Sequence, residues 1–386
     1  MLGHSKGVDT ADTILRSLEN DGFEVPLNQL ICLGSDGPNV NRTIWNCINN
    51  RMLAEGLSGL IPFVPYNPHV IHNAFRKGLN EFGKEVEQLV IDLFHFFKAS
   101  PCQKEDFNNV QMRLGLDDKV ILKHVQCRWL TLIPAVCRVI AQWTALKEYF
   151  LSTLPKISRE TSTQRELMGS EKYKRICAKL KDHSTLVELC FLQNMKSIFA
   201  PIMTLLQREE PLVHVLHEQL SEFIRTLMKR FIKQDVVNEK QGEELLNLDM
   251  VNSANELSNL DMEIGEPNIT ALEGLKESQK NNLFRNMRNF YLVTTKYLMA
   301  HLSINNQLLK DLSAVHPLQR KEGQTALQIR RIAKMLPQII KEEEIGQLSD
   351  EWKVYQSQEI PKQWYLEGDT FSRIDEYWQK VMDSRD

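Results

Sequence analysis

Only two short segments of this 386-residue chain have a β-strand pattern, and this scarcity limits the folds open to it. Residues 29–34, which contain Leu30-Ile31-Cys32-Leu33, predict one strand, and residues 60–65 predict a second, proline-rich edge strand. From Pro101 onward the pattern is almost entirely helical. Two short strands do not form an independent α/β core. The chain is therefore either nearly all helical, or a mostly α protein whose small α/β part has further strands outside it.

Helical periodicity is strongest in four segments. Apolar residues recur at three- and four-residue spacing over residues 5–22, 39–55, 69–98 and 278–302, and each range predicts a helix. Asn39 is a suitable N-cap for the second of them. Residues 235–267 differ, because they carry nine acidic residues and one lysine. Their composition predicts an acidic, partly disordered loop or linker.

The composition limits the classes of binding partner and the cellular compartments that can be expected. The net charge is −3, so any contact with nucleic acid must come from local basic faces. The seven cysteines are scattered without a CxxC pair, which indicates a reducing compartment, nuclear or cytoplasmic. No apolar run approaches the ~20 residues that span a bilayer, so no membrane is expected.

The turn Gly34-Ser35-Asp36-Gly37-Pro38 places a carboxylate between the first predicted strand and a helix. Asp36 could bind a metal ion in a nuclease-like site, where several carboxylates hold ions ~3.5–4 Å apart. Alternatively, it could cap the turn and the helix after it, and spacing alone favours this interpretation. Phosphate loops, dinucleotide fingerprints, GxSxG and HExxH motifs are absent from the sequence.

Two histidine pairs have the spacing of one helix face. His69 and His72 begin a predicted helix and could bind a metal, although two ligands are too few for structural zinc. Hydrogen bonding to the adjacent loop is the simpler interpretation. His214 and His217 lie within an apolar helix, where packing in a core or an interface is expected.

Cys127-Arg128-Trp129-Leu130 opens another helix. Arg128 and Trp129 could hold a phosphate and stack on a base, whereas a buried Trp beside a solvated Arg is the structural alternative. A later basic group could contact DNA phosphates or form a solvated helix face. It comprises Arg320, Lys321, Arg330, Arg331 and Lys334.

Taken in order, these pieces resemble the hAT superfamily of transposases and the genes domesticated from them. Five segments carry the resemblance, and they are Ser35-Asp36-Gly37-Pro38-Asn39-Val40, His69-x-x-His72-Asn73-Ala74, Cys127-Arg128-Trp129-Leu130, the stretch from Leu302 to Pro317, and Arg373-Ile374-Asp375-Glu376-Tyr377-Trp378. Two of them depart from the family pattern. His69 occupies the Cys position of the family's C-x-x-H motif, and Cys127 replaces Thr in its T-R-W motif.

The resemblance implies a fold and a domain order. Residues 1–100 would form an incomplete RNase H-like region, and residues 101–300 a large all-helical insertion that contains the acidic loop. Residues 301–386 would return towards the core and lead to a C-terminal dimerisation region that is missing from this chain.

The resemblance also assigns roles. Asp36 would be the second acid of a DDE site, and Trp129 would contact distorted DNA. The other two acids would lie beyond the two ends of this chain, so the polypeptide as written is expected to be inactive and to need no cofactor. Mg²⁺ or Mn²⁺ would bind only a complete site. The expected function is residual DNA or protein binding in the nucleus. The alternatives are a helical protein-interaction scaffold and a partial gene model of an active transposase.

Overall fold

The computed structural model describes residues 6–20, 25–35, 39–61, 64–65, 67–98, 100–125, 129–157, 162–240, 242–266, 271–367 and 370–384. Within these ranges the protein is mostly helical, as the periodicity predicted. Its buried apolar residues form three clusters that follow one another along the chain. We call the corresponding regions the N-terminal unit (residues 7–65), the helical body (residues 67–304) and the C-terminal unit (residues 307–384).

The N-terminal unit consists of two helices and one pair of very short strands. Helix α1 (Gly7–Asn20) packs on α2 (Asn39–Ala54), and both predicted helices are confirmed. Their shared cluster is small and includes Ala11, Ile48 and Met52. A core of this size stabilises the unit much less than the aromatic core of the helical body.

Both predicted strands are present but are much shorter than expected. Strand β1 (Gly34–Ser35) pairs in parallel with β2 (Val64–Pro65), and α2 connects them. Leu27–Gln29 forms a 3₁₀ turn, and its last residue is the first residue of the range predicted as a strand. A further hydrogen bond from the Ile61 amide to the Ile31 carbonyl (2.9 Å) extends the contact backwards. In the described residues no third strand pairs with either of them.

The helical body contains the largest core. Its helices are α3 (Asn67–Phe82), α4 (Lys84–Lys98), α5 (Pro101–Arg113), α6 (Trp129–Ala141), α7 (Trp143–Glu148), α8 (Leu154–Ile157), α9 (Ser162–Gly169), α10 (Glu171–Lys181), α11 (Ser184–Leu206), α12 (Val213–Lys229), α13 (Gln234–Asn238), α14 (Glu243–Leu246) and α15 (Glu277–His301). A π-helical stretch, Tyr149–Thr153, joins α7 to α8. The first and last helices of the body, α3 and α15, pack along each other, with Phe75 and Phe290 in an edge-to-face contact of 5.4 Å.

One expectation about the start of the body is wrong. The single helix expected over 69–98 is two helices, because Gly83 has a φ of +133°, which ends α3 before α4 begins. Residues 67–98, which the resemblance assigns to the RNase H-like region, share the apolar core of the helical body. Both α3 and α4 contribute to the core of the body, since their apolar faces include Phe75, Phe96 and Phe97.

The acidic segment 235–267 is a loop, as expected, and its described residues also include the short helices α13 and α14. Sparse apolar side chains anchor it to the body, and Val237, Met250 and Met262 are buried in the core. The Tyr291 hydroxyl donates to the Glu263 carbonyl at 2.8 Å. Because only a few apolar residues anchor the segment to the body, its acidic composition does not indicate that it is anchored.

The C-terminal unit has a separate aromatic core. It contains α16 (Gln307–Asp311), α17 (Thr325–Met335), α18 (Ile345–Ser357), α19 (Ile374–Asp383) and an antiparallel pair, β3 (Leu366–Glu367) with β4 (Thr370–Phe371). Inside it the hydroxyls of Tyr355 and Tyr377 are 2.6 Å apart. Ile61, from the N-terminal unit, packs against this core. The first and last units therefore meet although the whole body separates them in sequence.

One described helix, α11, passes the length and apolarity test for a membrane span. Half of its apolar window is buried inside the protein, and its Phe199 ring packs edge-to-face on Phe75 at 5.2 Å. Core packing accounts for the apolar character of α11, which is compatible with the expectation of no membrane.

Candidate functional site

The parallel strand pair defines the edge at which the first two motifs meet. Gly34 lies opposite Val64 and Ser35 opposite Pro65, so both strands run towards the same edge. Asp36 follows Ser35 directly in sequence. Asp36 itself lies outside the described residues, and the structure therefore does not test its assignment as a metal ligand or as a cap.

Helix α3 starts at Asn67, two residues after β2 ends, and brings the histidine pair to this edge. His69 lies in its first turn and His72 one turn later, and both are half-buried. Among the described residues, no three His, Cys, Asp or Glu side chains are arranged to hold a metal ion. The edge thus combines two imidazoles with the residues that lead to Asp36.

The Arg-Trp motif is only partly described. Cys127 and Arg128 lie outside the described residues, and Trp129 begins α6 with its backbone described but not its side chain. The residues on either side are tied together by a single hydroxyl. Thr131 Oγ1 accepts a hydrogen bond from the Val125 amide at 2.9 Å. This contact joins the described residues on the two sides of positions 126–128.

A buried ionic network supports that connection. His124 Nδ1 lies 2.8 Å from Thr131 Oγ1, and His124 Nε2 lies 2.9 Å from Glu87 Oε1. Arg76, from α3, also donates to Glu87 Oε1. The side chains of Glu87 and His124 are only 3% and 1% exposed, so their charges and dipoles interact with little screening. The network links α3, α4 and the segment before α6.

The ionisation of Glu87 follows from these contacts. Burial opposes its negative charge, but hydrogen bonds from His124 and Arg76, with the positive charge of Arg76, outweigh burial and lower the Glu87 pKa below its ordinary 4.5. Residues 87 and 124 share no local motif, so the sequence does not predict this network. A buried acid in an apolar helix face was the only available signal.

Two arginines of the later basic group, Arg331 and Arg320, have structural contacts. Arg331 donates to Asp311, a fully buried carboxylate, at 2.8 Å. Arg320 is buried and lies 5.7 Å above the centre of the Tyr355 ring. These two arginines hold the C-terminal unit together, so they are poorly placed to bind phosphates. The other three members of the group are exposed.

His214 and His217 have the expected packing role. They lie on α12 where it contacts the C-terminal unit. His217 Nε2 is 3.1 Å from the Ile304 carbonyl, and the His214 ring lies 5.3 Å from that of His316. Burial, followed by the neighbouring charge of His316, lowers the pKa of His214 to about 4. The pKa of His217 and His316 is also lowered, chiefly by burial.

Comparison with family models, with curated proteins and with solved structures finds no match to this chain. The assignment of a function therefore depends on the chain's own residues and their contacts.

Proposed function

We propose that this protein derives from an hAT-type transposase and retains a capacity to bind DNA, with Arg128 and Trp129 at the contact. The proposed ancestry includes an incomplete RNase H-like region, formed by the N-terminal and C-terminal units. The helical body would be the insertion between them. A nuclear location follows from this role, whereas a scaffold could act in the cytoplasm.

The arrangement of the three units is the observation that carries this proposal. The ends of an inserted domain must lie close together, because the host domain continues from one end to the other. Here the first and last helices of the body, α3 and α15, pack side by side. Ile61 meets the C-terminal core on the far side of the insertion in sequence.

The strand pair supports the same proposal. A parallel pair joined by a helix is the unit from which α/β sheets are built. In such sheets, functional side chains lie beyond the carboxyl ends of the strands. The β1 and β2 ends are the positions from which the Asp36 and His69 motifs continue.

We expect no strand cleavage by the chain. Mg²⁺ catalysis of phosphoryl transfer requires a fixed group of carboxylates, and the family motifs match a single acid, Asp36. Metal-dependent cutting or joining of transposon-end DNA by the purified protein would contradict this expectation and would favour an active transposase.

The experiment is a DNA-binding measurement across a range of salt concentrations, by fluorescence anisotropy with a labelled duplex. Phosphate contacts make log K fall linearly with log salt, by about 0.9 for each contact. Arg128→Ala should lower the magnitude of that slope by about 0.9. Trp129→Ala should weaken binding about 5- to 150-fold if a base stacks on the indole, which corresponds to about 1–3 kcal/mol.

Arg51→Ala is the matched control for charge, because Arg51 is an exposed arginine on α2 that pairs with Glu55 of the next turn. It should leave the slope unchanged. Equal effects of Arg51→Ala and Arg128→Ala would contradict the assigned contact. Absence of binding at low salt would overturn the DNA-binding proposal.

A protein-interaction scaffold is the second candidate, and one observation favours it. The C-terminal unit exposes Leu327, Val354 and Met382, each more than half accessible. An apolar cavity of about 260 Å³ beside Trp352 and Trp378 opens on the same unit. Apolar surface on a protein marks a contact site where it forms one contiguous patch. A chain that binds no DNA at low salt would make this the leading function.

A further inference from the structure

A cationic groove lies beside α6, on the helical body. Its volume is about 460 Å³, within the range of small-ligand sites. Three cationic side chains line it from three different segments, namely Lys119 from the loop before α6, Arg138 from α6 and Lys196 from α11. Apolar side chains between them include Ile133 and Pro134. We call this the α6 groove.

The charge of the α6 groove is only weakly compensated. Lys119 pairs with Asp117 at 2.6 Å, but both side chains are about half or more exposed, and such pairs contribute little. Arg138 donates to the Val120 carbonyl at 2.6 Å, which orients the guanidinium without neutralising it. Among the described residues, no carboxylate lies within ion-pair distance of Arg138 or Lys196. A protein with a net charge of −3 thus concentrates positive charge at this place.

The groove lies on the helix that the Arg-Trp motif begins. Trp129 is the first residue of α6, and Arg138 lies nine residues along the helix. At 1.5 Å per residue the two positions are about 14 Å apart along the axis, and at 3.6 residues per turn they lie on opposite sides of α6. A DNA strand that joins them therefore crosses the helix and spans more than about four steps at 3.4 Å each.

We propose that the α6 groove binds the continuation of a DNA strand that reaches the Trp129 end of α6. Phosphate oxygens would accept hydrogen bonds from Lys119, Arg138 and Lys196, and a sugar or base would lie on Pro134, which is exposed. The inference rests on the proposed DNA-binding function and extends it to a second contact.

The test compares Lys119→Gln/Lys196→Gln with a matched control, Lys174→Gln/Lys353→Gln. All four lysines are exposed, and both control lysines pair with an acid three residues away, outside the groove. Each double variant removes two positive charges. Loss of two phosphate contacts should lower the magnitude of the salt slope by about 1.8 for duplex DNA.

The expected difference is large enough to measure by anisotropy. Between about 50 mM and about 200 mM salt, the affinity of the groove variant should fall about tenfold less than that of the wild-type protein. The control variant should follow the wild type. A groove variant with the wild-type slope would overturn the groove while leaving DNA binding by the chain intact. A wild-type protein that binds no DNA would overturn both proposals.

A competition arm separates a DNA strand from a free nucleotide, which carries the same phosphate chemistry. Millimolar dAMP should not displace the labelled DNA, because one nucleotide makes only part of the contacts. Displacement by dAMP in the wild type that disappears in Lys119→Gln/Lys196→Gln would assign the groove to mononucleotides and overturn the strand assignment.

Discussion

Replacement of His124 by alanine tests whether the buried network stabilises the helical body. The substitution removes the imidazole that contacts both Glu87 and Thr131, at 2.9 and 2.8 Å. Loss of a hydrogen bond to a buried charged group costs about 1.5–3 kcal/mol. Glu87 keeps its contact with Arg76, but the contact with Thr131 is lost as well, so we expect the upper end of this range, about 3 kcal/mol.

The assay is thermal unfolding at neutral pH, followed by calorimetry, with the transition of the body analysed separately. For a unit of about 240 residues, each kcal/mol shifts Tm by about 2–4 °C, so His124→Ala should lower Tm by about 6–12 °C. His95→Ala is the control, because His95 is an exposed histidine on the neighbouring helix α4. Equal Tm changes for the two variants would refute the reasoning.

The pH dependence of the same network has a definite sign. Folding lowers the Glu87 pKa below 4.5, so the ionised carboxylate favours the folded state. This contribution is complete above about pH 4.5 and disappears as the pH falls through the folded-state pKa. Glu87→Gln should therefore lose less stability than the wild type on acidification below pH 4.5.

Four further substitutions can be tested by urea unfolding. A Cβ at Gly78 would overlap the Thr294 hydroxyl on α15, so Gly78→Ala should destabilise the protein by about 1–3 kcal/mol. Gly346 faces open space, so Gly346→Ala should stabilise the protein by about 0.5 kcal/mol. Stability changes of the same sign in the two variants would contradict this reasoning. Burial is the main cause that raises the Glu188 pKa to about 7, so its ionisation destabilises the fold as the pH rises from 4.5 to 7. Glu188→Gln should be more stable than the wild type by about 3 kcal/mol at pH 8 and equal to it at pH 4. Folding lowers the His214 pKa from 6.5 to about 4, so protonation of this residue favours the unfolded state. Between pH 7 and pH 5 the free energy of unfolding of the wild type should therefore fall by about 2 kcal/mol more than that of His214→Gln. Parallel plots of this free energy against pH for the two proteins would refute the prediction.

Local patterns predicted the local structure well. The helices at 7–20, 39–54 and 277–301 end within two residues of the expected bounds, because periodicity and capping are properties of neighbouring residues. The break after α3 also has a local cause, Gly83, which the long apolar periodicity across it concealed.

Contacts between distant residues could not be predicted from one sequence. The pair Glu87–His124 joins residues 37 positions apart, and no spacing rule connects them. Nor does composition predict the anchoring of the acidic loop, where a few buried residues such as Met262 outweigh many exposed charges. The residues expected to carry chemistry, Asp36 and Arg128, lie outside the described ranges, so their roles remain predictions.

The pairing of α3 with α15 has a consequence for synthesis of the chain. About 200 residues separate the end of α3 from the start of α15. At about 5–20 residues per second, the ribosome needs about 10–40 s to cover that distance. During this interval the apolar face of α3, with Phe75 and Phe82, has no α15 to cover it, and it forms a binding site for chaperones. The packing of α3 on α15 is therefore a late step in the folding of the nascent chain. A stalled ribosome would hold an intermediate with an exposed apolar face, which is prone to aggregation.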